Sequence, residues 1–133
     1  MLAEPEAFLD SCVCYNETVM NKIRIFELRD SALNSESGEY VLGFQDTGSH
    51  ACYMIYGVLN PAEKRRLVKP GKGHEEILLA VKGDLEVSGY HAMTLKEGFA
   101  FHIKGDHECF LENKGNFDAV YVIAGGHSAQ GHH

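Results

Sequence analysis

The amino-acid sequence predicts an all-β fold, a small antiparallel sandwich or barrel formed by a single domain. From residue 22 onward the chain is a series of short segments rich in Val, Ile, Phe, Tyr and Leu, the residue types that favour strands. Turn residues such as Asn60-Pro61, Glu97-Gly98 and the Asn-Lys-Gly-Asn run at 113–116 separate these segments. A chain of 133 residues is long enough to bury one core without disulfides or structural metal.

Nine strands are predicted between these turns, after a short helix over 4–13 that has Pro5 in its first turn. We expect residues 1–30 to form an N-terminal extension that packs on the barrel, and residues 31–124 to form the barrel itself. Residues 125–133, which are rich in Gly and His, are expected to form a flexible tail. The predicted strands cover 22–28, 40–45, 50–59, 64–70, 75–82, 84–90, 99–103, 107–113 and 117–124.

The predicted strand over 75–82 is apolar on both faces. One face fills the barrel interior, so the other, with Ile77, Leu79 and Val81, needs a second layer. We predict that a homodimer supplies this layer, and the alternative is that residues 1–30 cover it. Further core residues are predicted among the aromatic and β-branched positions: Tyr53, Ile55, Phe99, Phe101, Phe110, Tyr121 and Ile123.

The composition excludes several classes of function. Twelve Lys and Arg against nineteen Asp and Glu give a formal net charge of −7, which leaves no overall basic surface for nucleic acid. No apolar run approaches the roughly 18 residues that span a bilayer, and the first ten residues carry acids where a secretory signal carries basic residues. We therefore predict a cytoplasmic protein without membrane or nucleic-acid partners, whose four cysteines are reduced thiols.

Two motif-like spacings point to a family. Glu76 is followed after six residues by Gly83, and Gly98 is followed by His107 and Asn113. On these residues the stretch 64–124 resembles the cupin family, whose motifs are G-x5-H-x-H-x(3,4)-E-x6-G and G-x5-P-x-G-x2-H-x3-N. Glu76 and Gly83 match the second half of the first motif, while the second motif is matched more loosely. The resemblance implies a small antiparallel cupin (jelly-roll) β-barrel.

The resemblance also implies a metal site, because metal-binding cupins hold a divalent ion through residues of both motifs. Glu76 and His107 occupy two of the ligand positions, but the two motif histidines fall on Pro70 and Lys72, which cannot ligate a metal. His74 lies two residues before Glu76, so in a regular strand both side chains project to the same face. His74, Glu76 and His107 would then form a two-His, one-carboxylate set for Fe or Mn, with Zn or Ni as alternatives.

Lys72 supports a different interpretation. An ammonium at a ligand position repels a cation and could pair with Glu76 in a partly buried cavity. The segment 64–72 is the one dense basic stretch of the chain, and it could attract an anionic small molecule or simply be a solvated strand edge. Cys109 shares a predicted strand face with His107, so it could line the same pocket as Lys72, act as a soft metal ligand, or simply be a core residue.

Two classes of function therefore stay open. As an enzyme, the protein would bind a small molecule in the barrel and use a metal held by His74, Glu76 and His107 for oxidoreductase or isomerase chemistry, for example as a dioxygenase. As a binding or sensing module, it would hold an anionic molecule without metal through Lys72 and His107. A fold shared by many activities does not decide between the two classes.

Overall fold

The computed structural model describes residues 23–128, which form nine strands and two short helices. The helices are α1 (Leu28–Leu33) and α2 (Phe44–Thr47). The strands are β1 (Glu39–Leu42), β2 (Cys52–Leu59), β3 (Arg66–Val68), β4 (Gly71–Lys82), β5 (Leu85–Gly89), β6 (Met93–Leu95), β7 (Ala100–Gly105), β8 (Cys109–Glu112) and β9 (Ala119–His127). No helix within the described range is long and apolar enough to cross a membrane.

The strands form two antiparallel sheets. The five-stranded sheet has the order β1-β2-β9-β4-β7, and the four-stranded sheet has the order β3-β8-β5-β6. The buried core joins both sheets, since Leu78 and Ile123 of the larger sheet belong to the same cluster as Leu85 and Leu111 of the smaller one. The predicted all-β antiparallel fold is confirmed.

Alternation along β4 determines what each face of the large sheet carries. Glu76, Leu78 and Ala80 are buried between the sheets, whereas Ile77 and Leu79 between them are exposed on the outside. The outer side chains of neighbouring strands are also largely apolar: Ile77 aligns with Ala124 and Met54, and Leu79 aligns with Val122 and Tyr56. The large sheet thus presents an apolar outer face, and the homodimer predicted to cover it stays a prediction.

Some predicted elements differ from the structure. Residues 23–27 form no strand, and Ile23 and Ile25 are exposed, because their alternating pattern meets no partner strand among the described residues. The three-residue strand β6 was not predicted, since a segment this short gives no periodic signal. Phe99 was assigned to the core but is 64% exposed, because it follows a tight turn in which its amide donates to the Lys96 carbonyl oxygen.

Two strands are longer than predicted, and both extensions reach the same place. β4 begins at Gly71 rather than residue 75, and β9 continues to His127, past the barrel end predicted at residue 124. The extended ends pair with each other, His74 opposite His127. The helix predicted over 4–13 and the last part of the predicted tail, 129–133, lie outside the described residues.

Candidate functional site

A tyrosine, a glycine and a glutamate are aligned across three neighbouring strands of the large sheet. Tyr53 of β2 is in register with Gly125 of β9, which is in register with Glu76 of β4. A Cβ atom at position 125 would overlap the Tyr53 ring and meet its phenol oxygen at 2.6 Å, so the missing side chain lets the ring lie across β9. The Tyr53 hydroxyl thereby reaches Glu76 two strands away and donates to its Oε2 at 2.5 Å.

Glu76 is buried, with 5% of its surface exposed to solvent. Burial raises the pKa of Glu76, and the nearby charge of Glu39 raises it further, while the hydrogen bond from Tyr53 and the proximity of His74 oppose the increase. Burial and the bond to Glu76 also raise the pKa of Tyr53 above its ordinary value. Tyr53 therefore remains a hydrogen-bond donor, and Glu76 takes up a proton more readily than an exposed glutamate.

The same arrangement occurs a second time in the large sheet. Tyr121 of β9 lies across Gly57 of β2 and donates its hydroxyl hydrogen to Glu39 of β1, again two strands away. A Cβ atom at position 57 would approach Cε1 and Cε2 of the Tyr121 ring to 2.5 and 2.6 Å. Tyr121 also accepts a hydrogen bond at 3.0 Å from Nη1 of the buried Arg66. Glu76 and Glu39 are thus each held by a tyrosine that spans a glycine.

Two imidazoles extend the Tyr53–Glu76 row toward the end of the barrel at which β4 begins and β9 ends, which we call the open end. The half-buried ring of His74 lies 6.0 Å from the Tyr53 ring and 5.1 Å from the ring of His127, in edge-to-face contact with both. His74 Nδ1 lies 3.2 Å from the carbonyl oxygen of Lys72, which can only accept, so Nδ1 carries a proton. We call Tyr53, His74, Glu76 and His127 the open-end cluster. Within this cluster Glu76 is buried and His127 is exposed.

The structure brings together two of the predicted site residues, His74 and Glu76, on the inner face of β4. His107 lies in the loop between β7 and β8, where its ring stacks on Tyr90 at a centroid distance of 3.7 Å and an angle of 7°. Lys72 is exposed and forms no ion pair within residues 23–128, so Tyr53 rather than Lys72 is the partner of Glu76. Cys109 is fully buried in the core, in register with Gly89.

These positions do not fit a divalent metal ion as they stand. Within the described range no group of three or more His, Cys, Asp or Glu side chains is placed to hold one. The Glu76 carboxylate is engaged by Tyr53, and the His107 ring is stacked on Tyr90. Three converging donors are the minimum that a protein site for Fe, Mn, Zn or Ni normally provides.

Tyr53 and His127 were missed as site residues by sequence reasoning. Tyr53 and Tyr121 were assigned to the apolar core on composition alone. A usable signal was present, since glycine inside a strand often marks the close approach of another group, and Gly57 and Gly125 both lie in strands. His127 was placed in the tail because the Gly-Gly pair before it suggests a chain end rather than a strand.

Comparison with solved structures identifies the fold. An oxalate oxidase in complex with the substrate analogue glycolate superposes with a TM-score of 0.62 at 16% identity, covering 91% of this chain and 68% of that one. A double-stranded β-helix protein from Klebsiella pneumoniae gives 0.60 at 16% identity, covering 81% and 93%. An RmlC-like cupin from Shewanella frigidimarina gives 0.52 at 12% identity, covering 69% and 77%. No protein-family model and no curated protein matches the sequence. The chain has the cupin fold, as the motif resemblance implied.

Proposed function

We propose that this cupin-fold protein binds a small carboxylic acid at the open end of its barrel, through the open-end cluster and without a resident metal ion. The observation that carries the proposal is the hydrogen bond from Tyr53 to Glu76. Glu76 is the residue that the motif resemblance would make a metal ligand, yet its carboxylate is directed to a phenol that spans Gly125. A tyrosine satisfies this buried carboxyl where a metal ion would otherwise do so.

The cluster offers complementary groups for a small hydroxy acid. Glu76 can accept a hydrogen bond from a ligand hydroxyl group, and His74 in its imidazolium form can donate from Nε2 to a ligand carboxylate. The oxalate oxidase with a similar fold binds glycolate, which carries both a hydroxyl and a carboxylate.

Basic residues at the same end could attract such an anion. Lys72 lies in the same strand as His74, and Lys104 lies near the end of the neighbouring strand β7; both are exposed. We propose that Lys72 raises the rate of association, since rim charges mainly affect encounter. His107, which stacks on Tyr90 and lies in the loop after β7, is proposed to form the opposite side of the ligand's entrance to the open-end cluster.

Isothermal titration calorimetry with glycolate and oxalate as the probes tests the proposal. We expect Glu76→Gln and His74→Gln each to weaken binding by about tenfold or more, which corresponds to loss of one charge-assisted hydrogen bond. His102→Gln is the matched control, because His102 is an exposed histidine that contacts Glu75 on the outer side of the sheet. Its binding should equal that of the wild type.

Binding that persists unchanged in both Glu76→Gln and His74→Gln would overturn the proposal, as would the absence of binding by either probe at millimolar concentration. Elemental analysis of the full chain gives a separate readout for the metal. It should be made with a His132→Gln/His133→Gln variant alongside, because two adjacent terminal histidines can capture metal adventitiously. Stoichiometric metal that survives this double substitution but is lost in Glu76→Gln would refute a metal-free site.

A further inference from the structure

A cleft lies at the end of the barrel opposite the open-end cluster. It has a volume of about 510 Å³, which falls in the range of small-molecule sites. Three connections form its walls: the β4–β5 turn, the segment that follows β6, and the β8–β9 loop at 113–118. Glu76 is at the middle of β4 and Lys82 is at its end, so the two sites are separated by about half of the length of that strand. We call it the turn cleft.

The walls of the turn cleft are held in place by side-chain hydrogen bonds to the backbone. The Gly83 amide donates to Glu97 Oε1 at 2.7 Å, and the Glu97 amide donates to Asp84 Oδ1 at 2.9 Å, which joins two walls. The third wall is held by Asn113, which is 4% exposed and donates from Nδ2 to the Phe117 carbonyl oxygen at 2.8 Å. A cleft whose walls are fixed before binding loses little entropy when a ligand enters.

The lining combines one aromatic ring with many polar groups. Phe117 is 80% exposed although the loop that carries it is tied to the core through Asn113. Around it, the side chains of Asn116, Asp118 and Lys114 form no hydrogen bond or ion pair with any residue in 23–128. An exposed ring on an anchored backbone, beside free donors and acceptors, can hold a molecule that has one apolar face and several hydroxyl groups.

The charges in the turn cleft argue against an ionic ligand. A phosphate or carboxylate would face the carboxylates of Asp84, Glu86, Glu97 and Asp118, which outnumber the ammonium groups of Lys82 and Lys114. A metal ion would need convergent ligands, and no group of three or more acidic, His or Cys side chains in the described range is placed to hold one. An uncharged ligand that both donates and accepts hydrogen bonds fits these constraints.

We propose that the turn cleft binds a neutral saccharide, with the C–H face of one sugar ring against Phe117 and its hydroxyl groups on Asn116, Asp118 and Lys114. This site is independent of the open-end cluster and of the function proposed for it. Sugar hydroxyl groups donate hydrogen bonds to carboxylates and accept them from amide and ammonium groups. A saccharide can therefore bind to the carboxylate, amide and ammonium groups of the cleft at the same time. Since few groups are fully desolvated, we expect a dissociation constant on the order of 1 mM.

Saturation-transfer difference NMR on the full chain tests the proposal. The probes are the methyl glycosides of glucose, galactose, mannose and N-acetylglucosamine, together with lactose and maltose, each at about 20 mM. We expect at least one probe to receive saturation mainly at the C–H protons of one ring face. Phe117→Ala should weaken its binding by about tenfold or more, and Asp118→Asn should weaken it less.

The control variant is Phe99→Ala, which removes another exposed phenylalanine that does not line the turn cleft. Phe117→Ala and Phe99→Ala should both keep the wild-type melting temperature, because each ring is largely exposed, so a loss of binding cannot be ascribed to unfolding. The proposal is overturned by any of three results: no saturation transfer to any probe, an affinity that Phe117→Ala leaves unchanged, or an equal loss in Phe99→Ala. Chemical-shift changes in the turn cleft on addition of calcium chloride but not of any saccharide would also contradict it.

Discussion

Replacing Gly125 by alanine should break the link between Tyr53 and Glu76 without touching either residue. The new Cβ atom would lie 2.6 Å from the Tyr53 phenol oxygen and closer still to the ring carbons beside it. The oxygen must move by about 0.8 Å to reach the 3.4 Å of an ordinary van der Waals contact. Because the hydroxyl is fixed at 2.5 Å from Glu76 Oε2, a displacement of this size lengthens or breaks the bond.

The expected cost follows from what Glu76 loses. A hydrogen bond to a charged group contributes about 1.5–3 kcal/mol, and the carboxyl left behind is buried. Replacing glycine by alanine within a strand returns about 0.5–1 kcal/mol through reduced backbone entropy in the unfolded chain. We therefore expect Gly125→Ala to lower the free energy of unfolding by about 1–2 kcal/mol, and the melting temperature by several degrees.

Urea and thermal unfolding followed by circular dichroism measure this effect. Gly126→Ala is the matched control: it is the next residue of β9, and its Cβ would meet only the Ala51 carbonyl oxygen at 3.3 Å. The entropic gain of about 0.5–1 kcal/mol should offset the strain of this tight contact, so we expect no loss of stability beyond about 0.5 kcal/mol there. In a Tyr53→Leu background, which has no aromatic ring to displace, Gly125→Ala should cost little. An equal cost of Gly125→Ala in both backgrounds would refute the reasoning.

Three further predictions concern the second glutamate row, pH and assembly. Gly57→Ala should destabilise the protein at least as much as Gly125→Ala. The ring that it displaces, Tyr121, is fully buried and forms hydrogen bonds with both Glu39 and Arg66. A smaller effect of Gly57→Ala in urea unfolding would contradict this prediction. Folding raises the pKa of Glu76. The free energy of unfolding should therefore fall as the pH rises from the pKa of Glu76 in the unfolded chain to its pKa in the folded protein. The loss is about 1.4 kcal/mol for each unit by which these two pKa values differ. Glu76→Gln should remove that part of the slope in urea titrations between about pH 4 and about pH 7, and an unchanged slope would assign it to other groups. Light scattering after size exclusion should find a dimer that Leu79→Glu converts to a monomer, since Leu79 lies on the exposed apolar face of the large sheet; a monomeric wild type would exclude the dimer.

The sequence was sufficient for the architecture because strand alternation and turn chemistry are local. The strand containing Leu78 was identified from its apolar residues, and the turn at Gly83 from its Lys-Gly-Asp sequence. The two-residue spacing also placed His74 and Glu76 on one face of β4. The same local rules could not find β6, whose three residues are held by pairing with β5 rather than by any pattern of their own.

The composition of the site was less accessible, because it depends on register across strands distant in sequence. Tyr53 and Glu76 are 23 residues apart, and their contact requires that Gly125 of a third strand lie between them. No spacing within one segment encodes that alignment. The orientation of His107 could not be predicted for a similar reason. The motif resemblance gives its position in the sequence, but its ring stacks on Tyr90, which lies in the β5–β6 connection of the smaller sheet.

Carboxyl-detected NMR of Glu76 as a function of pH tests whether this carboxyl is buried and held by the Tyr53 hydroxyl. We expect Glu76 to titrate above the ordinary glutamate pKa, because the group is buried. Tyr53→Phe should raise the pKa of Glu76 further, because the phenol stabilises the charged form. His102→Gln should leave the titration unchanged. A Glu76 carboxyl that titrates at the ordinary value and is indifferent to Tyr53→Phe would contradict the account.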